Sequence, residues 1–300
     1  MKIYRLTILL LCSVLVCSCA SVRRLFTIDN SSFELGRADS LYHPQGILEE
    51  HIYNCSPASG TSRRKMLVYL PAGYYESEKR YPVQYLIHGA RGNETSWIKD
   101  GNMIKIVDSL WAAGLLPECI IVLPNMNQYK NDEDYADSRF KRPVESIFET
   151  NGGVETCFVN DVMGYVRDNF RTIEDKAHRS IAGLSVGAMQ AIFLSASNPD
   201  LFDYVGLFSP MHQSVCPFGK YISFYHDLDK KQKAQFRNPP KLYYVMIGRG
   251  DVFYGHTEDF RYEMDIHGYP YLYLETSKGH SWSNWRFFLE EYLTKIFDNI

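Results

Sequence analysis

The pentapeptide Gly183-Leu184-Ser185-Val186-Gly187 carries the strongest chemical signal in this sequence. It follows a short apolar run, Ser180-Ile181-Ala182, and opens a helix-favouring run from Val186 to Leu194. Strand, sharp turn and helix in that order force the serine into a strained backbone, and the flanking glycines remove Cβ atoms that would strike neighbouring chain. The Ser185 hydroxyl then stands at a helix N-terminus, where the Val186 amide can donate to a developing oxyanion. The competing reading is a glycine-rich connection with an ordinary capping serine. The strand before the turn and the helix after it favour the nucleophile.

A serine hydroxyl near neutral pH needs a general base, and that base needs an acid to orient it. Of nine histidines, His280 sits where a strand hands over to a helix: Tyr271 to Leu274 reads as a strand, Glu275 to Gly279 as a loop, and Ser283 to Phe297 as a closing helix. His256 is the nearest competitor, with His212 behind it. Asp251 follows the apolar run Leu242 to Ile247 and a Gly-Arg-Gly turn. That is the C-terminal end of a strand, where open α/β sheets carry their sites. Arg249-Gly250-Asp251 also spells an adhesion tripeptide, but three residues are too few to support that reading. A fourth element, the loop beginning His88-Gly89-Ala90-Arg91-Gly92, comes directly after the strand ending Tyr85-Leu86-Ile87. Such a loop can turn a backbone amide toward the attacked carbonyl, with Ala90 favoured as donor and Gly89 next. His88 is expected to hold this loop rather than act as a second base.

The elements that must position these groups are legible from apolar runs. Pro82 to Ile87, Cys119 to Leu123, Ser180 to Ala182, Tyr204 to Phe208, Leu242 to Ile247 and Tyr271 to Leu274 lack strict alternation. Runs of that kind are strands covered on both faces, the mark of a mostly parallel sheet between helices. Met103 to Ala113, Val159 to Phe170, Val186 to Ala196, Glu258 to Ile266 and Trp282 to Phe297 supply helical spacing. Gly46 to Cys55 and Lys65 to Leu70 read as two further strands around a turn-rich Ser56 to Gly60. No repeat or Gly/Ser linker divides the pattern, so one α/β domain over residues 46–300 is expected.

The chain has 300 residues, 45% hydrophobic and 22% charged, with a net charge of −3 and no sustained basic run. These values exclude collagenous and disordered classes and make nucleic acid an unfavourable partner. At the N-terminus, Lys2 and Arg5 precede an apolar run from Leu6 to Val16, too short to span a bilayer. Val16-Cys17-Ser18-Cys19 resembles the bacterial lipobox, which implies cleavage after residue 18, a lipid on Cys19 and attachment to the cell envelope. An ordinary secretory signal is the alternative. Removal of residues 1–18 takes away Lys2 and Arg5 and no acid, leaving 30 basic and 35 acidic residues and a net charge of −5. Residues 19–45 read as a tether. Cys55, Cys119, Cys157 and Cys216 remain, in an oxidising compartment that permits three pairings or none.

Beyond these residues the chain, from Gly46 to Phe297, resembles the putative-esterase group of α/β-hydrolases, which contains feruloyl and acetyl xylan esterases of carbohydrate esterase family one. The resemblance rests on Arg64 to Tyr74, on Tyr81-Pro82-Val83 leading into the His88-Gly89 loop, and on Ile121-Val122-Leu123-Pro124-Asn125. It continues in Ala182-Gly183-Leu184-Ser185, the Asp251 loop, and Gly279-His280-Ser281-Trp282 with Asn284-Trp285-Arg286. The order Ser185, Asp251, His280 is also that of α/β-hydrolases. The resemblance implies an α/β-hydrolase fold and a serine esterase working through an acyl-enzyme, with neither metal nor organic cofactor. Asp132-Glu133-Asp134 with Asp137 lacks EF-hand spacing and reads as a solvated loop. Ala188 and Arg91 depart from the small residues common in relatives. The former is expected to be harmless, and the latter either biases the site toward anions or points into water.

The implied substrate is an acylated plant polysaccharide or oligosaccharide carrying feruloyl or acetyl groups. Arg91, Trp97, Tyr254 and Trp282 lie near the expected site loops as candidate substrate contacts, while Trp285, Phe287 and Phe288 are expected in the core. The stretch Pro210 to Pro240 is long enough to form a lid or rim, carrying His212, Tyr221, Phe224 and Tyr225. Two other readings compete: an acyltransferase or siderophore-ester hydrolase with the same triad, and a non-catalytic carbohydrate-binding protein that kept the fold.

Overall fold

A computed structural model describes residues 44–56, 62–127, 153–211 and 227–297, which fall within one compact unit. Eight strands form one sheet: β1 (Ile47–Cys55), β2 (Ser62–Leu70), β3 (Val83–Ile87), β4 (Ile120–Pro124), β5 (Arg179–Leu184), β6 (Tyr204–Phe208), β7 (Leu242–Gly250) and β8 (Leu272–Gly279). Their spatial order is β1-β2-β4-β3-β5-β6-β7-β8. The β1/β2 and β2/β4 pairs are antiparallel, and every pair from β4/β3 to β7/β8 is parallel. The mostly parallel sheet expected from the apolar runs is therefore present, in the α/β-hydrolase architecture that the resemblance implies.

Alternation within the strands shows why those runs are continuous. In β4, Ile120 and Val122 enter one apolar cluster, while Ile121 and Leu123 enter the other. In β7, Tyr243 and Val245 face the first cluster, and Leu242, Tyr244 and Met246 the second. Over Ile120–Leu123 and Leu242–Met246 both faces are buried, so neither parity of position carries a charge. The second cluster is closed by α2 (Met103–Ala112), through Met103, Val107 and Leu110, and by α8 (Trp282–Leu293), through Trp285, Phe288, Leu289 and Tyr292. A one-turn helix α1 (Ser96–Lys99) precedes them and sends Trp97 into the same cluster.

The first cluster is closed by α5 (Val186–Ser197), by α7 (Tyr254–Ile266), and by α3 (Gly153–Cys157) and α4 (Met163–Asn169), joined through a π-helical stretch Phe158–Val162. Residues Val186 to Ala196 of α5 are all buried, because α6 (Leu228–Gln235) packs over its outer side. A helix apolar all round belongs in such a place. The sequence reading missed α6, whose Leu-Asp-Lys-Lys-Gln-Lys beginning offers little apolar periodicity. The lid expected over Pro210 to Pro240 has α6 within the helix layer, and residues 212–226 lie outside the described residues.

The end of the sheet differs from expectation. Glu275 to Gly279 continues β8 instead of forming a loop, pairing Glu275 with Ile247 and Thr276 with Gly248. The segment is polar because β8 is an edge strand, and polar residues there carry no apolar signal to mark a strand. The closing helix ends at Leu293 rather than Phe297, and Phe287 lies 38% exposed instead of in the core. Cys55 and Cys157 form a disulfide, and Cys119 is a buried free thiol. Cys216 and Cys19, with the leader, the tether and the Asp132 cluster, lie outside the described residues.

Candidate active site

Parallel register brings the chemistry together. Gly250 of β7 pairs with Gly279 of β8, so the next residue of each strand, Asp251 and His280, emerge side by side. Leu184 of β5 pairs with Phe208 of β6, and the Ser185 amide donates to the Phe208 carbonyl at 2.8 Å. His280 Nδ1 lies 3.0 Å from both carboxylate oxygens of Asp251, and Nε2 lies 3.1 Å from Ser185 Oγ. With the carboxylate able only to accept, Nδ1 carries the proton and Nε2 is left as acceptor for the serine hydroxyl. The side chains of His280 and Asp251 are 2% and 0% exposed. Asp251 is held in turn by the Phe253 amide, which donates to Oδ1 at 2.9 Å.

Ser185 has φ 55° and ψ −118°, a conformation L-residues rarely adopt. Two glycines make it accessible. A Cβ on Gly183 would lie 2.4 Å from the Gly187 carbonyl oxygen, and one on Gly187 would lie 2.3 Å from that of His88. The helix N-terminus thus sits directly against the strand and the following loop, closer than any side chain allows. Ala188 is fully buried in the first cluster.

The loop after β3 is fixed by His88. Its Nε2 accepts from the Met126 amide at 3.0 Å, so Nδ1 is the protonated nitrogen and donates to the Gly89 carbonyl at 2.7 Å. One neutral imidazole therefore ties this loop to the end of β4. Burial pulls the pKa of His88 down to about 4, which keeps it neutral in this bridging role. The Gly92 amide closes a turn onto the same Gly89 carbonyl at 3.0 Å. Arg91 is half-buried with φ 58°. Asn125 donates to the buried carboxylate of Glu94 at 2.9 Å, adding a second link between this loop and β4.

Of the four expected substrate contacts, Trp97 is corrected by its surroundings. It is 1% exposed, its indole N–H donates to the Ile87 carbonyl at 3.1 Å, and its ring meets Phe208 and Trp282 edge to face. A ring with no free face offers no platform to a sugar or an acyl group. Trp282 is half-buried between Trp97 and Trp285. Tyr254 begins α7 and donates its hydroxyl to Glu275 at 2.9 Å. His256 is half-buried in the first turn of α7, 6.1 Å ring to ring from Phe253, and His280 takes the position beside Ser185 instead. His212 lies outside the described residues. Cys55 and Cys157 come near Asp161, but as a disulfide they have no thiolate to offer a metal.

Two contacts to His280, and a brace on the turn that presents it, escaped the sequence reading. Phe253 meets the imidazole at 5.0 Å and 83°, and Trp285 meets it at 4.7 Å and 90°. Asn284, fully buried, accepts from Thr276 at 2.9 Å and reaches the Gly279 carbonyl at 3.4 Å, bracing the turn that presents the histidine. An aromatic two residues past Asp251 was the available signal for Phe253. For Trp285 there was none, since helical spacing reads it as core.

Comparison with known proteins agrees with this geometry. The Esterase family model, described as "Putative esterase", matches residues 57–296. A protein of Xylanibacter ruminicola named endo-1,4-beta-xylanase/feruloyl esterase is 30% identical over 188 residues, 61% of this chain. The chain spans only 22% of that relative's length. A solved ferulic acid esterase is 26% identical with a TM-score of 0.66, over 83% of this chain and 97% of the other. A CE1 ferulic acid esterase from Anaeromyces mucronatus shares the fold at a TM-score of 0.72 and 20% identity, over 86% of this chain and 92% of the other. With a serine, a histidine and an aspartate in hydrogen-bond sequence at the ends of the parallel strands of an α/β-hydrolase fold, and on the family match over residues 57–296, this chain belongs to the Esterase family.

Proposed function

We propose that the enzyme releases feruloyl or related acyl groups from plant polysaccharide or its oligosaccharides, with Ser185, His280 and Asp251 as its catalytic triad. The observation that carries the catalytic reading is the unbroken relay from Asp251 through His280 to Ser185 Oγ. Ser185 Oγ attacks the ester carbonyl carbon as its proton passes to His280 Nε2. The imidazolium so formed is stabilised by Asp251. The Val186 amide, first in its helix and without a partner one turn back, receives the oxyanion together with Ala90 or, next, Gly89. Collapse expels the alcohol oxygen, which takes the proton from His280. Water then attacks the acyl-enzyme, gives a proton to His280, and Ser185 leaves reprotonated. One ester and one water become one acid and one alcohol.

The acyl group and its carrier are inferred from relatives: one carries xylanase and feruloyl esterase in a single name, and a second is a ferulic acid esterase. Arg91, Tyr254 and Trp282 are the candidate contacts at the rim. We read residues 19–45 as a tether from a lipidated Cys19 at the bacterial cell envelope, and the Cys55–Cys157 disulfide suits such an oxidising compartment.

The test is hydrolysis of methyl ferulate, p-nitrophenyl acetate and feruloylated and acetylated xylan oligosaccharides by the parent and Ser185→Ala. Feruloyl release that falls at least about 10⁴-fold in the variant is expected. Equal rates would overturn the triad, and turnover of acetyl esters alone would overturn the feruloyl assignment. Radioactive palmitate should label the parent and not Cys19→Ala; equal labelling of the two overturns the anchor.

A further inference from the structure

Four neighbouring parallel strands, β5 to β8, end at Ser185, Ser209, Asp251 and His280. Three of these residues form the relay. The fourth, Ser209, is fully buried and holds φ at 53°. Glycine would adopt that backbone without strain, so the hydroxyl is the reason to look for a task. Its Oγ accepts the indole N–H of Trp285 at 3.0 Å, and its amide donates to the Met246 carbonyl at 2.8 Å. Trp285 in turn presents its ring at 90° and 4.7 Å to His280.

We propose that Ser209 and Trp285 are positioning residues that act as one unit on His280: Ser209 fixes the indole, and the indole, together with Phe253, fixes the plane of the imidazole. The proposal rests on His280 being the base. Hydrogen bonds at Nδ1 and Nε2 define an axis lying in the ring, but they do not by themselves prevent rotation about it. Two perpendicular aromatic contacts do. The need is greatest in the acyl-enzyme, where Ser185 Oγ is esterified and no longer donates to Nε2. The imidazole must then hold its aim at water with only Asp251 bonded to it. Trp285 is 7% exposed and belongs to the buried layer, so losing its anchor changes turnover rather than substrate binding.

The experiment compares Ser209→Ala, Ser209→Gly, Trp285→Phe and the double variant Ser209→Ala/Trp285→Phe on methyl ferulate and p-nitrophenyl acetate, each well below its own Tm. Trp285→Phe keeps a ring and removes the N–H. Ser209→Gly frees the backbone, so the measurement stands if Ser209→Ala folds poorly. Each single variant is expected to lose on the order of tenfold in kcat, with KM held within about twofold. The double variant should be no slower than the slower single one, because both changes cut the same link. A kcat within about twofold of the parent in Ser209→Gly, or a double variant whose loss is the product of the single losses, would overturn the unit. A fall in Tm alone with kcat intact would also overturn it, leaving a purely structural contact. His280→Ala is the control: if that variant keeps its turnover, the base assignment has failed rather than the anchor.

Discussion

His88 links acid sensitivity to the loop that borders the nucleophile. Folded, it accepts from the Met126 amide and donates to the Gly89 carbonyl, and burial lowers its pKa from 6.5 to about 4. Protonation would turn Nε2 into a donor facing another donor, breaking the bridge. Between pH 6.5 and 4 the unfolded chain binds a proton that the folded chain refuses, so stability falls as pH drops through this window and is fully present above it. A lowering of that size corresponds to about 3 kcal/mol. That is a large share of the 5–15 kcal/mol typical of a folded domain. Urea unfolding of the parent and His88→Leu at intervals from pH 7 to pH 4 isolates the effect. The variant should be less stable at pH 7 by about 1–3 kcal/mol, since it strands a buried amide, and the gap should shrink or reverse toward pH 4. A parent-minus-variant difference that is flat with pH would refute the bridging role of the neutral ring.

Three further outcomes follow from other parts of the site and frame. Asp251→Asn keeps the shape but loses the charge that sets the His280 tautomer, so kcat should drop about 10³–10⁴-fold with Tm nearly unchanged; a loss under about tenfold would show another group orienting the imidazole. Cys55→Ala/Cys157→Ala opens a link spanning 102 residues of sequence, costing about 4.7 kcal/mol by loop-closure entropy. Calorimetry should show Tm lower by roughly 10–19 °C with kcat of the folded enzyme intact, and a shift under about 3 °C would refute the loop-closure estimate. Gly187→Ala drives a methyl to 2.3 Å from the His88 carbonyl oxygen, so urea unfolding should register about 1–3 kcal/mol lost, together with esterase activity; parent-like stability would contradict this close approach.

Features that depend on near neighbours in the chain are legible in the sequence alone. Apolar runs at β3 to β7 identify strands because both faces of each are buried, and Gly183 to Gly187 reads as an elbow because strand, serine and helix are contiguous. Features that depend on register and on residues far apart arise with the assembled sheet. The pairing of Gly250 with Gly279 sets Asp251 beside His280, and it rests on a β8 extension too polar to be seen as a strand. Cys55 found Cys157 among three partners allowed by count. Trp97, an apparent rim residue by its place in a loop, turned into the core because its N–H had a strand-end carbonyl to meet at Ile87. Trp285 and Ser209, 76 residues apart, meet beneath His280, a contact that no local pattern encodes because it is created by the order in which the strands stand side by side.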